Sequence, residues 1–250
     1  YGILTADPPS PLEAQVTTSA VPAVPAGVAL VTADVDAARS FYADLLGWTY
    51  AESAAGITAV ADGEPAAALH AGAGPARWCT VFAAEDPAAV RAAALRAGAR
   101  LDGVDVHDPL GGHFRLGAAG TSAVPGPGRP CWYEYMTTAP DEAGRFYTDV
   151  LTLPASVPPG APDDSYAVLT ADGRPVAGRL ALPAPLAGVL PTGWMVYFAV
   201  VDPDAAAARA EQLGGRLLVP PRDVPTGRVA AIADPAGAVF TVIRPTPAPA

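Results

Sequence analysis

Ser40-Phe41-Tyr42-Ala43-Asp44-Leu45-Leu46-Gly47-Trp48 and Arg145-Phe146-Tyr147-Thr148-Asp149-Val150-Leu151 are one device written twice, about a hundred residues apart. Each follows an apolar strand-like run and a short loop ending in an acid. Val28-Ala29-Leu30-Val31 precedes Asp34, and Tyr133 to Met136 precede Asp141. Each copy closes a short Ala-rich helix. A repeat at this spacing implies a duplicated domain, so function is to be sought in what the two copies enclose and where they differ.

Each half divides again. In the first, a strand at 28–32 leads to a helix at 34–46, with short strands near 48–52, 57–61 and 65–70. Trp78 to Ala83 opens a second unit, followed by a helix at 86–98 and strands near 100–106 and 112–117. The second half repeats the order: strand 131–137, helix 140–151, strands near 165–170 and 175–182. Then come strand 193–201, helix 203–213 and strands near 216–220, 227–233 and 237–243. Asp34, Asp86-Pro87 and Asp202-Pro203 are helix starts, and Gly98 and Gly214-Gly215 are helix stops. The result is an α+β chain of four βαβββ units. Outside them lie a Pro-rich arm (1–25), a Pro/Gly linker (123–130) and a tail (246–250). The first domain is expected over 26–122 and the second over 131–245.

The 250 residues carry a net charge of −10 and no lysine or asparagine; every cation besides the three histidines is an arginine. An acidic chain without a basic stripe excludes nucleic acid as a partner, because phosphates demand clustered positive charge. Anionic membrane surfaces are excluded on the same ground. No uncharged apolar run reaches the roughly 18 residues of a membrane helix, and no charged start leads into an apolar leader. A cytoplasmic protein is expected, with Cys79 and Cys131 as buried free thiols.

Phe-Tyr-x-x-Leu-Leu-Gly-Trp after a strand and an acid-led helix resembles the vicinal oxygen chelate superfamily of glyoxalases, extradiol dioxygenases and bleomycin-binding proteins. Thr226-Gly227-Arg228-Val229 followed by Asp234-Pro235-Ala236-Gly237-Ala238-Val239-Phe240 resembles that family's closing Gly-Arg and Asp-Pro-x-Gly hairpin. The resemblance spans roughly residues 26–245 and implies two tandem domains, each a cupped sheet built from two βαβββ units. The second domain looks most like members loosely called hydroxylases, which accompany aromatic polyketide pathways.

The resemblance also implies where a divalent ion would sit in enzymatic members. The first ligand position falls on Gly27 and Trp132, the second near Cys79-Thr80 and Trp194-Met195-Val196, the last on Thr241. The first domain reads as lacking the closing hairpin, with Ala118-Ala119-Gly120-Thr121 in its place. Too few oxygen and nitrogen ligands remain, so no metal and no cofactor are expected. His107-Asp108 and His113 around Pro109-Leu110-Gly111-Gly112 read as an exposed turn in preference to a metal cluster. His70, near a strand end, is a ligand-binding candidate or a satisfied strand-end histidine.

Trp78, Trp132 and Trp194 each open a unit's first strand. They either line a stacking surface for a planar apolar molecule or pack the sheet against its neighbour. Glu134 shares a strand face with Trp132. Desolvated beside an indole, it is the candidate acid or base; otherwise it is a structural carboxylate bonded to Arg228 or Arg179, or one that reaches solvent. Arg228, and His113 taken as its counterpart in the first domain, are candidate ligand-binding groups or hairpin surface residues. The expected function is metal-independent binding and acid–base transformation of a flat hydrophobic metabolite such as an aromatic polyketide, with the better-formed pocket in the second domain. Antibiotic sequestration is the alternative, and a metal-dependent lyase or dioxygenase the third. A monomer or a homodimer is compatible with the duplication.

Overall fold

The computed structural model describes residues 21–54, 56–117, 126–159, 161 and 163–246. Most of the N-terminal arm, the Ala118–Thr121 segment, the start of the linker and the last four residues lie outside that set.

The first half runs β1 (Val24–Thr32), α1 (Val35–Leu46), β2 (Thr49–Ser53), β3 (Gly56–Ala61), β4 (Glu64–Ala71), β5 (Arg77–Ala83), α2 (Pro87–Arg96), β6 (Arg100–Asp102), β7 (Asp105–His107) and β8 (His113–Gly117). The second runs β9 (Pro130–Thr137), α3 (Pro140–Leu151), β10 (Ala155–Ser156), β11 (Tyr166–Ala171), β12 (Arg174–Ala181), β13 (Gly193–Ala199), α4 (Pro203–Gln212), β14 (Arg216–Val224), β15 (Gly227–Ala233) and β16 (Val239–Pro245). Strand β1 starts two residues inside the stretch read as the arm, and β9 starts at the last residue of the stretch read as linker. Strand β10 is an element the sequence pattern did not announce.

The helix starts are local chemistry. Asp34, Asp86 and Asp202 each accept a backbone N–H from the first turn behind them, which satisfies a donor that the helix itself leaves open. The fourth helix start differs from expectation. Ala139 precedes α3 with no side-chain cap, and Asp141 lies inside the first turn, where a carboxylate complements the helix's positive end instead.

Each half makes one eight-stranded sheet, in the orders β2-β3-β4-β1-β5-β8-β7-β6 and β10-β11-β12-β9-β13-β16-β15-β14. The two central strands of each run antiparallel, β1 with β5 and β9 with β13, while β4 and β8, or β12 and β16, flank them in parallel. Alternation along the strands divides each sheet into two faces. Leu30, Trp78, Phe82 and Phe114 of the first sheet join Tyr133, Tyr135, Trp194, Phe198 and Phe240 of the second in one hydrophobic core. These are the inner faces. The residues between them in sequence form the two outer faces.

The core between the domains repeats itself. Trp78 lies edge-on to Phe198 at 5.1 Å between ring centroids, and Trp194 lies edge-on to Phe82 at 5.0 Å. Helix α1 packs on α4 of the other half, and α2 on α3. At its centre each domain's Phe-Tyr tyrosine crosses to a turn of the other. Tyr42 donates to Asp234 at 3.0 Å, and Tyr147 donates to Asp108 at 2.6 Å, where Tyr135 joins it at 2.7 Å. All five side chains are buried.

This symmetry corrects the reading of the first domain's closing segment. Asp108-Pro109-Leu110-Gly111 is its Asp-Pro-x-Gly hairpin. Asp108 accepts the backbone N–H groups of Leu110 and Gly112, as Asp234 accepts those of Ala236 and Ala238. Asp108 and Gly112 anchor the turn as buried residues, while Pro109 and Gly111 at its tip are exposed as expected. Gly112 has no room for a side chain, because a Cβ there would strike the Tyr135 ring. The motif comes early because β7 is three residues long where β15 is seven. By the same alignment His113 corresponds to Val239, not to Arg228.

Removing the Tyr42 hydroxyl orphans a buried Asp234 oxygen and the Trp78 indole N–H that also bonds to it. Tyr42→Phe should therefore cost about 2 kcal/mol in urea unfolding. The double mutant with Asp234→Asn should lose less than the sum of the two single losses; strict additivity would show that the pair is not coupled.

Candidate functional site

The outer face of the second sheet holds a chain of polar side chains in apolar surroundings. Glu134 projects from β9, between Met195 on β13 and Gly178 on β12. Tyr197 donates to its Oε2 at 2.5 Å. The Tyr166 phenol acts on the Glu134 carboxyl electrostatically, and the Trp132 indole acts on Tyr166. Tyr166 reaches Glu134 by lying across Gly178, where any Cβ would displace it. Thr241 lies opposite Tyr197 on the next strand. The order is Trp132, Tyr166, Glu134, Tyr197, Thr241, drawn from four strands.

Electrostatics make the carboxyl the reactive member. Glu134 is 5% exposed. Burial pushes its pKa up to about 7, against the opposing effect of the Tyr197 and Tyr166 phenols beside it. Burial first, and then the neighbouring carboxylate, raise both phenols above their ordinary range. At neutral pH the group is thus a carboxyl shared between protonated and ionised forms, flanked by hydroxyls that remain donors. Such a group can both give and take a proton. Next to it, Met136, Met195, Val219 and Ala231 form an apolar patch, onto which Leu186 and Leu190 of the loop between β12 and β13 fold.

The residues singled out in the sequence fall into three places. Glu134 and Trp132 come together on this face. Trp78 and Trp194 do not join them; they sit in the core between the domains. Their recurrence follows from the repeated packing of the two inner faces. Arg228 also lies elsewhere, bound to Asp204 at the start of α4 and to Asp223 on β14, so it neither holds Glu134 nor faces it. Arg179 likewise turns from Glu134 and donates to the Asp164 carbonyl at 2.9 Å. It borders a separate cleft of about 430 Å³ beside α3.

His70 and His113 belong to the outer face of the first sheet. There Arg115 on β8 bonds Asp105 on β7 through two guanidinium nitrogens, at 2.5 and 3.3 Å. Arg77 on β5 approaches the same carboxylate at 3.6 Å. His107 stacks on His113 with 5.9 Å between ring centroids. Tyr166, Tyr197, Asp105 and Arg115 were not identified from the sequence. Alternation on β8 and β13 signals Arg115 and Tyr197, but nothing in the spacing links Tyr166 to Glu134 before the strands pair.

A divalent ion does not fit either face. Trp132, Tyr197 and Thr241 are joined in one cross-strand row, and Gly27, Val81 and Arg115 in its counterpart. An indole, a phenol and a hydroxyl are poor ligands for such an ion, and a guanidinium repels it. Among the described residues, no three His, Cys, Asp or Glu side chains come together in an arrangement able to hold a metal.

The Glyoxalase/Bleomycin resistance protein/Dioxygenase superfamily matches residues 25–144, and the Glyoxalase-like domain family matches residues 134–243. CFP32 of Mycobacterium tuberculosis, a glyoxylase by name, is 36% identical over 251 residues, covering 89% of this chain and 95% of its own length. The anthracycline biosynthesis protein DnrV of Streptomyces peucetius is 33% identical over 260 residues, covering 89% and 94%. Among solved structures, the Mn(II)-bound glyoxalase of Novosphingobium aromaticivorans has a TM-score of 0.60 at 19% identity, covering 90% of this chain and 82% of that one. The 2,3-dioxygenase LapB of Pseudomonas sp. KL28 has a TM-score of 0.59 at 15% identity, covering 92% and 96%. These likenesses in sequence, joined to two βαβββ-built sheets in one chain, place the protein in the vicinal oxygen chelate superfamily as a tandem two-domain member.

Proposed function

We propose that the outer face of the second domain binds a planar hydrophobic metabolite of the aromatic polyketide class and transforms it by proton transfer through Glu134. The observation that carries this reading is a buried carboxyl, pushed up to about 7 by burial, that accepts a hydrogen bond from Tyr197 beside a buried apolar cluster. The similarity to DnrV supports the class of ligand.

In this reading the Trp132 ring offers a stacking edge, and the methionine and leucine side chains next to Glu134 accommodate a flat body. Glu134 takes a proton from an acidic carbon or hydroxyl of the ligand and returns it at a second position. Tyr166 and Tyr197 hold the carboxylate while it is charged. A cyclisation, isomerisation, dehydration or ring opening needs no more than this. Sequestration of the same ligand without reaction is the second reading, favoured by the apolar loop folded against Met136 and Met195.

Trp132 is the one indole outside the core, so its fluorescence should report the ligand. A hydroxyanthraquinone is expected to quench it, and Trp132→Phe to remove the response. Mass spectrometry and chromatography of the recovered compound then separate the readings. Glu134→Gln should lower turnover by about 100-fold or more while leaving affinity nearly unchanged. Ligand returned unaltered by the wild-type protein would establish sequestration, and full turnover by Glu134→Gln would remove Glu134 from the chemistry.

Stability gives an independent check. The unfolded chain releases this proton near 4.5 and the folded one near 7, so between those values the folded state binds more protons. Stability contributed by the protonated carboxyl is complete below 4.5 and falls as pH rises through 7, by roughly 3 kcal/mol in all. Glu134→Gln should therefore gain stability relative to wild type at pH 8 and not at pH 4. Parallel unfolding curves at both values would contradict the burial argument.

A further inference from the structure

The outer face of the first sheet has a different chemistry, and nothing in the preceding reading uses it. His70, Arg77, Asp105, His107, His113 and Arg115 all lie on it. His70 and Arg77 occupy one row across β4, β1 and β5 through Val31. His107 pairs with His113, and Asp105 with Arg115, across β7 and β8. All of the chain's three histidines are in this cluster.

The charges do not cancel. Two guanidiniums share one carboxylate. Arg115 turns Nε and Nη2 to Asp105, with no partner for Nη1 among the described residues, and Arg77 reaches the same carboxylate only at 3.6 Å while also acting on Cys79. The Arg77 and Arg115 side chains are 32% and 16% exposed, so both are withdrawn from water without being sealed off. His113 Nε2 is buried and has no hydrogen-bond partner among the described residues. Burial, together with the neighbouring guanidiniums, holds His70 and His113 below the ordinary histidine range. Arg77, Arg100 and Arg115 outnumber Asp102 and Asp105 on this face by one, in a chain whose total is −10. A local surplus of that sign, gathered on one face with spare N–H donors, is what an anion requires.

We infer that the first domain carries a second ligand site on this face, one that takes the carboxylate of a small organic acid between Arg77 and Arg115. The surplus of one charge matches a monoanion. Arg115 Nη1 and the Arg77 guanidinium supply separate N–H donors for the two oxygens of a carboxylate. Val81, partly exposed and paired with Arg115, gives an apolar neighbour for an organic body, and His107 stacks on His113 on the same face. Arg115 stands in the cross-strand row whose counterpart in the second domain ends at Thr241. The two domains thus offer the same topological position to different molecules. This site does not depend on Glu134.

Because every histidine of the chain lies here, imidazole NMR signals report this face alone. The intact chain is titrated at fixed pH and ionic strength with benzoate, with inorganic phosphate and with the uncharged benzamide. Benzoate is expected to move the imidazole resonances saturably, and benzamide to leave them in place. Arg77→Gln should weaken benzoate binding by about tenfold or more, and Glu134→Gln should not change it. Arg115→Gln should abolish binding; if loss of the Asp105 pair unfolds that variant, Arg77→Gln alone decides. Equal shifts with benzamide, no saturation with benzoate, or unaltered affinity in Arg77→Gln would overturn the site. Binding of phosphate in preference to benzoate would overturn its assignment to a carboxylate.

Discussion

A tyrosine hydroxyl buried in one domain and answered by an aspartate in the other is the interaction on which the rest depends. Tyr42 with Asp234, and Tyr147 with Asp108, are polar groups inside an aromatic core. Each would be costly there without its partner. The aspartate also ties up the backbone of its own turn, so the bond fixes the end of a hairpin and the pairing of two domains at once. Buried networks of this kind specify one arrangement more sharply than apolar contact, because a shifted register leaves several groups unsatisfied.

The reach of each interaction along the chain explains what could be read in advance. The four units were visible because periodicity and helix-capping aspartates are local signals, and the Phe-Tyr repeat is a local string. The partner of each Phe-Tyr tyrosine was not visible, since Asp234 is 192 residues from Tyr42. The same distance effect hid the first domain's hairpin. Asp108-Pro109-Leu110-Gly111 stands next to two histidines, and without the alignment of β8 on β16 it reads as an unattached turn.

Strand alternation correctly placed Trp132 beside Glu134, because a face is a two-residue rule. It could not tell which face was inner. Trp78 and Trp194 therefore stood between a pocket and a packing role and belong to the core, and Arg228 stood between a ligand group and a hairpin surface residue and is engaged by Asp204 and Asp223. Tyr166 and Tyr197 came within reach of Glu134 only through the registers of three neighbouring strands and the absence of a side chain at Gly178. Chemistry built across a sheet is invisible to a pattern that runs along a strand.

Joining the halves in one chain has a consequence for how such a protein diversifies. Where two identical subunits pair through the same core, every substitution is incurred twice, and a buried acid in one sheet must be tolerated in the other. Here the position equivalent to Glu134 is Ala29, beside Cys79 on β5. The acidic and the cationic face therefore arose without constraining each other, while the shared tyrosine–aspartate bonds kept both copies answerable to a single fold.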